Sequence, residues 1–271
     1  MISHTLSSKS LLTASLFLAL ASSNAIADSW TVTQGTTVGT DTTITQTSSS
    51  GGSVQTINGI NLNGSNGTIN DTSTQNVNVG EHAITLDQKT GTANSSQAVN
   101  RASAHTINGL TQDITITRGP NNLKLNQNNS VGSSNSQAVN EAISSTETGA
   151  IINKLTQKID GASSISLQMV QSGSSTNIQA GNLIRSSALS TTADAVTQTT
   201  NVGGTKLQQD TTTNSIQASN ALIMLGGSSA AGGKIKQTFS GTFFDALGYT
   251  FKQTGVNNSI QALNYAGVTI P

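Results

Sequence analysis

Six boxes of the form Gln-x-x-Asn punctuate this chain: Gln55 to Asn58, Gln97 to Asn100, Gln137 to Asn140, Gln179 to Asn182, Gln217 to Asn220 and Gln261 to Asn264. The Gln-to-Gln spacings are 42, 40, 42, 38 and 44 residues. An amide side chain carries two N–H donors and a carbonyl acceptor. Its chemistry is hydrogen bonding, not bond making. A catalytic centre needs one constellation of groups, and six copies at nearly even spacing point to architecture.

The remaining reactive residue types do not converge in the sequence. His82 and His105 have no second His or Cys at metal-ligand spacing, and both read as surface residues. No G-x-S-x-G elbow or phosphate loop is present. "GGSSAAGGK" at 226–234 lacks the phosphate-loop spacing and reads as a connection. The calcium-binding nonapeptide of secreted β-rolls is absent. The acidic residues are scattered, and Thr-x-Thr groups such as Thr43-Ile44-Thr45 do not recur once per repeat. We therefore expect no catalytic residue, no cofactor and no metal site.

Composition narrows the class further. Of 271 residues, 9% are charged and 3% aromatic; the net charge is zero and cysteine is absent. A reader of phosphate backbones needs clustered Lys and Arg, so nucleic acid is not an expected partner. "LLTASLFLALA" (Leu11 to Ala21) follows Lys9 and precedes the small-residue site Ala25-Ile26-Ala27. That order is the pattern of a bacterial Sec-type signal peptide over 1–27. The apolar run is about half of what a spanning helix requires, so stable membrane insertion is not expected. The expectation is a protein secreted to the cell surface or beyond, without disulfides to hold it together.

Two more Gln series run in phase with the boxes. One comprises Gln46, Gln88, Gln127, Gln209 and Gln253, with Met169 in the fourth slot. The other comprises Gln75, Gln112, Gln157, Gln198 and Gln237. In "GLTQDITI", Leu110, Gln112, Ile114 and Ile116 share one parity, and Leu155, Gln157 and Ile159 do the same. Period-two alternation with Thr and β-branched residues is the strand signature. The Gln thus lies on the apolar face. An unpaired buried amide costs about 1–3 kcal/mol, which stacking on equivalent amides one rung away would offset. The boxes are less clear, because Gln217 and Ile216, like Gln261 and Ile260, fall on opposite faces. Either both faces are covered or the segment bends. Short helices over Ser136–Ser145 and Asn214–Leu225 are disfavoured by their Ser and Asn content.

The expected fold is an all-β solenoid of stacked repeats of about 40 residues. An N-terminal segment would occupy 28–42 and about five and a half repeats 43–271. Each repeat would form either one coil of three strands or two strand-turn-strand layers of about 20 residues. Gln and Asn ladders would run through the Gln residues of the three series and through Asn58, Asn100, Asn140, Asn182, Asn220 and Asn264. Trp30, Phe239, Phe243, Phe244, Tyr249, Phe251 and Tyr265 gather towards the two ends, to cap the stack or join it to a neighbour.

These features, an export signal, low charge, no cysteine and Gln and Asn at fixed places in strand-turn-strand units over about 41–265, resemble the curlin class of secreted functional-amyloid subunits. The resemblance implies extracellular fibres, biofilm matrix and surface adhesion, with a separate nucleator and an outer-membrane export pore as partners. Two other functions fit a β-solenoid: a monomeric adhesin or surface-binding module with capped ends, and a polysaccharide-active enzyme. The enzyme would need a charged cluster in a groove.

Overall fold

The computed structural model describes residues 18–19, 29–39, 41–46, 53–62, 67–80, 82–89, 94–117, 123–128, 134–144, 149–161, 165–173, 175–190, 195–225, 234–242 and 251–268. The expected export segment, most connecting turns and the aromatics Phe243, Phe244 and Tyr249 lie outside these residues, apart from Leu18–Ala19.

The described chain is all-β, and every strand pairing is parallel. The strands stack coil upon coil as in a β-solenoid. One coil runs through Ser136–Ser144, the two-residue strand Ile151–Ile152, Leu155–Gly161 and Ser166–Ser172, and the next begins at Ile178–Ser186. A coil therefore has three long walls and a short fourth. The box strands form the first wall, in the order Val54–Leu62, Ser96–Ala104, Ser136–Ser144, Ile178–Ser186, Ile216–Met224 and Ile260–Val268. Leu18–Ala19 pairs with Ile60–Asn61 at its N-terminal edge. The short wall stacks Ser29–Trp30, Thr68–Ile69, Thr106–Ile107 and Ile151–Ile152. The second wall runs from Thr33–Val38 through Ser73–Val79, Leu110–Ile116 and Leu155–Gly161. The third runs from Thr42–Gln46 through Ile84–Gln88, Leu123–Asn128 and Ser166–Ser172. Both meet on the 15-residue strand Val196–Asp210, whose two halves continue the two walls. Ile235–Thr242 and Phe251–Thr254 then pair with those halves. The stack thus takes in Thr33–Val38, ahead of residue 43.

The interior is striped. One apolar cluster lies behind the C-terminal half of the box wall, where Ala102, Ala142, Ile184 and Leu222 meet Ile107 and Ile152 of the short wall and Leu110, Leu155 and Val196 of the second. A second cluster joins Ile114 and Ile159 of the second wall to Leu125, Leu167 and Met169 of the third, with Val99 and Val139 of the boxes. Leu and Ile recur in one column because parallel pairing superimposes equivalent residues: Leu110 on Leu155, Ile114 on Ile159. Burial at roughly 25 cal/mol per Å² of apolar surface holds the walls together. Ser136–Ser144 and Ile216–Met224 are strands, not helices.

Candidate functional site: the amide columns and the ends of the stack

Between the apolar stripes run columns of side-chain amides. In the box wall Gln97 Nε2 donates to Gln55 Oε1 at 3.1 Å, Gln137 to Gln97 at 2.8 Å, Gln179 to Gln137 at 2.8 Å, Gln217 to Gln179 at 2.7 Å and Gln261 to Gln217 at 2.8 Å. In the second wall Gln75 donates to Gln34, Gln112 to Gln75, Gln157 to Gln112, Gln198 to Gln157 and Gln237 to Gln198, all at 2.7–2.8 Å. In the third wall the donors are Gln127 to Gln88, Gln171 to Gln127, Gln209 to Gln171 and Gln253 to Gln209, at 2.7–2.9 Å. Gln46 pairs in backbone register with Gln88. The internal Gln residues of these columns are fully buried.

Most of the Gln nitrogens have a second partner, a backbone carbonyl, that fixes their orientation. Gln137 Nε2 also donates to the carbonyls of Leu86 and Asn126, at 3.1 and 3.0 Å. Gln112 does so to Glu141 O at 2.9 Å and Gln157 to Leu183 O at 3.0 Å. A backbone carbonyl only accepts, so the nitrogen must face it. The second partner also ties one wall to another: the Gln of the second wall reaches the box strand, and the Gln of the box reaches the third wall.

The Asn column runs the other way. Asn58 Nδ2 donates to Asn100 Oδ1, Asn100 to Asn140, Asn140 to Asn182, Asn182 to Asn220 and Asn220 to Asn264, at 2.8–2.9 Å. The second proton of Asn140 goes to Lys158 O and that of Asn220 to Thr238 O, both at 3.0 Å.

Parity alone set Gln and Asn of a box on opposite faces, and the structure puts both inside. The residue just before Asn is passed over in the pairing: Gln137 pairs with Gln179, Ala138 with Ala180, then Asn140 with Asn182. The strand turns a corner there, so Val139 and Asn140 both face inwards. Gln261 likewise points in, to Gln217 Oε1 and, at 3.2 Å, to Lys252 O. The other face is covered as well, since Ala138, Ala180, Leu183 and Ile223 on it are buried in a third apolar cluster.

One expectation is corrected. Met169 does not take a Gln slot. It pairs with Leu125 and Leu207, while Gln171 pairs with Gln127 and Gln209. The column order is apolar, apolar, Gln, and "LQMVQ" satisfies it two residues later than parity with Met169 suggests. Two features escaped the sequence reading. Gln34 begins the second-wall column. A fifth column stands at the turns into the last five boxes, where a side-chain oxygen of one coil accepts the backbone N–H of the coil before it: Ser95 N–H to Asn135 Oδ1, Asn135 N–H to Asn177 Oδ1, Asn177 N–H to Ser215 Oγ and Ser215 N–H to Ser259 Oγ, at 2.9–3.3 Å. Each follows a left-handed residue (Asn94, Ser134, Thr176, Asn214 and Asn258, φ 47–67°). The recurring Asn-Ser or Asn before the box was its signal.

Charge enters the buried part of the box wall at one place. Glu141 is fully buried on the outer face, stacked on Arg101 at 3.1 Å and 4.0 Å from Arg185. It accepts from Ser136 Oγ at 2.7 Å and from Ser96 Oγ. Burial pushes its pKa up, but Arg101, Arg185 and the two hydroxyls together hold it below the ordinary 4.5. Among the described residues no three His, Cys, Asp or Glu side chains gather as metal ligands, and no helix is long and apolar enough to cross a membrane. His82 lies 3.6 Å from Asp41. A groove of about 220 Å³ on the outer box wall has an apolar floor of Ile178, Ile216 and Ile223 beside Arg185, with no acidic side chain lining it.

At the C-terminal end the columns stop open. Among the described residues nothing donates to Oε1 of Gln237, Gln253 or Gln261. Phe251–Thr254 is exposed along its whole length. Among the described residues the large exposed hydrophobic side chains are Val54, Ile235 and Phe251, all on strands towards the ends of the stack. Comparison with family models, with curated proteins and with solved structures finds no match to this chain.

Proposed function

We propose that this chain is a secreted structural protein, a curli-like functional-amyloid subunit of an extracellular matrix or biofilm, which builds fibres by edge-to-edge strand pairing. The observation that carries this reading is the set of strand edges left unpaired among the described residues, Ile235–Thr242, Phe251–Thr254 and Ile260–Val268 at one end and Thr33–Val38 and Thr42–Gln46 at the other, on a parallel stack whose interior is a set of hydrogen-bonded amide columns. An unpaired strand edge templates another strand, and stacked amides extend such pairing from chain to chain. A solenoid that stays monomeric ends in a polar cap; exposed Phe251 and Ile235 are the opposite of one. That contrast favours the fibre over a capped adhesin. The polysaccharide-active enzyme receives no support from the charge cluster around Glu141, which is buried and internally paired. A nucleator and an outer-membrane export pore are the partners this role calls for.

The test is to purify the exported protein and follow it by amyloid-dye binding, electron microscopy and fibre diffraction. Fibres with a meridional spacing of about 4.8 Å are expected. A persistently monomeric protein overturns the proposal.

A further inference from the structure

We infer that copies of this chain join head to tail in one fixed register, the strand Ile260–Val268 of one copy pairing with Val54–Leu62 of the next, and Ile235–Thr242 and Phe251–Thr254 with that copy's Thr33–Val38 and Thr42–Gln46. The inference rests on the fibre reading above and adds to it polarity, register and the residues in contact. Three independent observations lead to it.

The first is the phase of the coil. The described stack ends on a box strand, Ile260–Val268, and after Leu18–Ala19 it begins on the short wall with Ser29–Trp30. A chain continuing past a box strand needs a short-wall strand, a second-wall strand, a third-wall strand and then a box. Ser29–Trp30, Thr33–Val38, Thr42–Gln46 and Val54–Leu62 supply those four in that order. The join neither omits a wall nor duplicates one.

The second is the match of side chains. The register within the stack can be followed column by column. Phe251 lies in the column of Leu207, Met169, Leu125, Leu86 and Ile44. Ile235 lies in that of Val196, Leu155, Leu110 and Ser73, which Val32 extends one residue before the paired stretch. Val54 heads the column that ends at Ile260. Continuing every column across the join sets Ile44 over Phe251, Val32 over Ile235 and Val54 over Ile260. Val54, Ile235 and Phe251, the large exposed hydrophobics among the described residues, thereby each face an apolar residue across the join.

The third is hydrogen-bond polarity. The C-terminal end offers the carbonyl oxygens of Gln237, Gln253 and Gln261. At the N-terminal end, Gln34 Nε2 donates only to Gly59 O and Gln55 Nε2 only to Thr45 O among the described residues, so each retains an N–H. The same continuation places Gln34 over Gln237, Gln46 over Gln253 and Gln55 over Gln261. Two C-terminal ends brought together would oppose acceptor to acceptor. A heterologous contact of this kind does not close on itself and yields an open filament.

The leader bears on the join. Leu18–Ala19 pairs with Ile60–Asn61, on the edge the join requires, so the test uses material exported by a secreting host from the full-length chain. The protein has no cysteine, which makes introduced cysteines unambiguous. Thr37 and Ser240 head and end one outward-facing column, through Asn78, Thr115, Asp160 and Asn201. The join places them on adjacent strands about 4.8 Å apart, within reach of a disulfide. Thr37→Cys and Ser240→Cys proteins are mixed, allowed to assemble and oxidised. Thr37→Cys with Asn78→Cys in one chain is the positive control, and Thr37→Cys mixed with Lys236→Cys, four residues out of register, is the negative one. The expected result is a disulfide-linked dimer as the major product of the first mixture and background in the negative control and in either single variant alone. Fibres that give no Thr37→Cys/Ser240→Cys dimer, or that cross-link Thr37→Cys to itself or to Lys236→Cys, overturn the register and leave the fibre reading standing. Absence of any fibre overturns that reading and this join with it.

Discussion

The box wall and the second wall are built from strands of similar length, yet they meet solvent differently. Leu155–Gly161 of the second wall alternates buried and half-buried residues, with Leu155, Gln157 and Ile159 inside and Thr156, Lys158 and Asp160 outside. Ser136–Ser144 of the box wall is buried at nearly every position. One wall is a boundary between core and water, the other a partition with apolar groups on both sides. The lesson is that equivalent repeats do not make equivalent walls. Substitutions on the outer face of the second wall touch solvent, whereas those on the outer face of the box wall touch a core.

Breaking the charge cluster is the strongest way to test the contrast. Glu141→Gln leaves Arg101, only 11% exposed, without its carboxylate. Removing one partner of a buried pair costs about 3–5 kcal/mol, and urea denaturation will show the midpoint fall accordingly. The same carboxylate makes the protein acid-sensitive. Its folded pKa lies below the ordinary 4.5, so its contribution is complete above that value and is lost as pH falls through the depressed one. As pH falls below about 4.5 the unmodified chain will therefore lose more stability than Glu141→Gln does. Next comes Leu183→Ala, in register with Glu141 and fully buried on the same outer face. A cavity there costs about 3 kcal/mol, read from the same denaturation curves; a change below about 0.5 kcal/mol would make that face an ordinary surface. The smallest effect belongs to the second wall. Lys158 meets Asp160 at 2.6 Å, with side chains 41% and 34% exposed. Lys158→Ala will shift stability by less than about 0.5 kcal/mol.

The same contrast decides what the sequence disclosed. Alternation in the second wall could be read directly from "GLTQDITI" and "KLTQKI", because water on one side forces every second residue to be polar. All-β structure in parallel coils follows from that alternation and the common phase of the three Gln series. In the box wall both faces are buried, so polarity carries no parity signal, and the corner at Val139-Asn140 shifts the parity within the strand. The short wall stayed hidden because two residues, such as Thr106–Ile107, are too few for any periodicity. Met169 was misplaced because its length resembles Gln, while the column is fixed by Leu123 on Leu167 two residues earlier. The charge cluster could not be foreseen either. Arg101 and Glu141 are 40 residues apart, and only the register stacks them.

The opposed donor directions of the amide columns have an electrical consequence. Each side-chain amide carries a dipole close to that of a peptide unit, about 3.5 D. Three Gln columns aim their positive poles at the N-terminal end, and the single Asn column aims its own at the C-terminal end. The sum is not zero: the columns leave the equivalent of two unopposed rows, and the rod is electrically a vector. Subunits laid end to end in one sense would add these moments, as turns of a helix do, and the filament proposed above would be polarised along its length even though the chain bears no net charge.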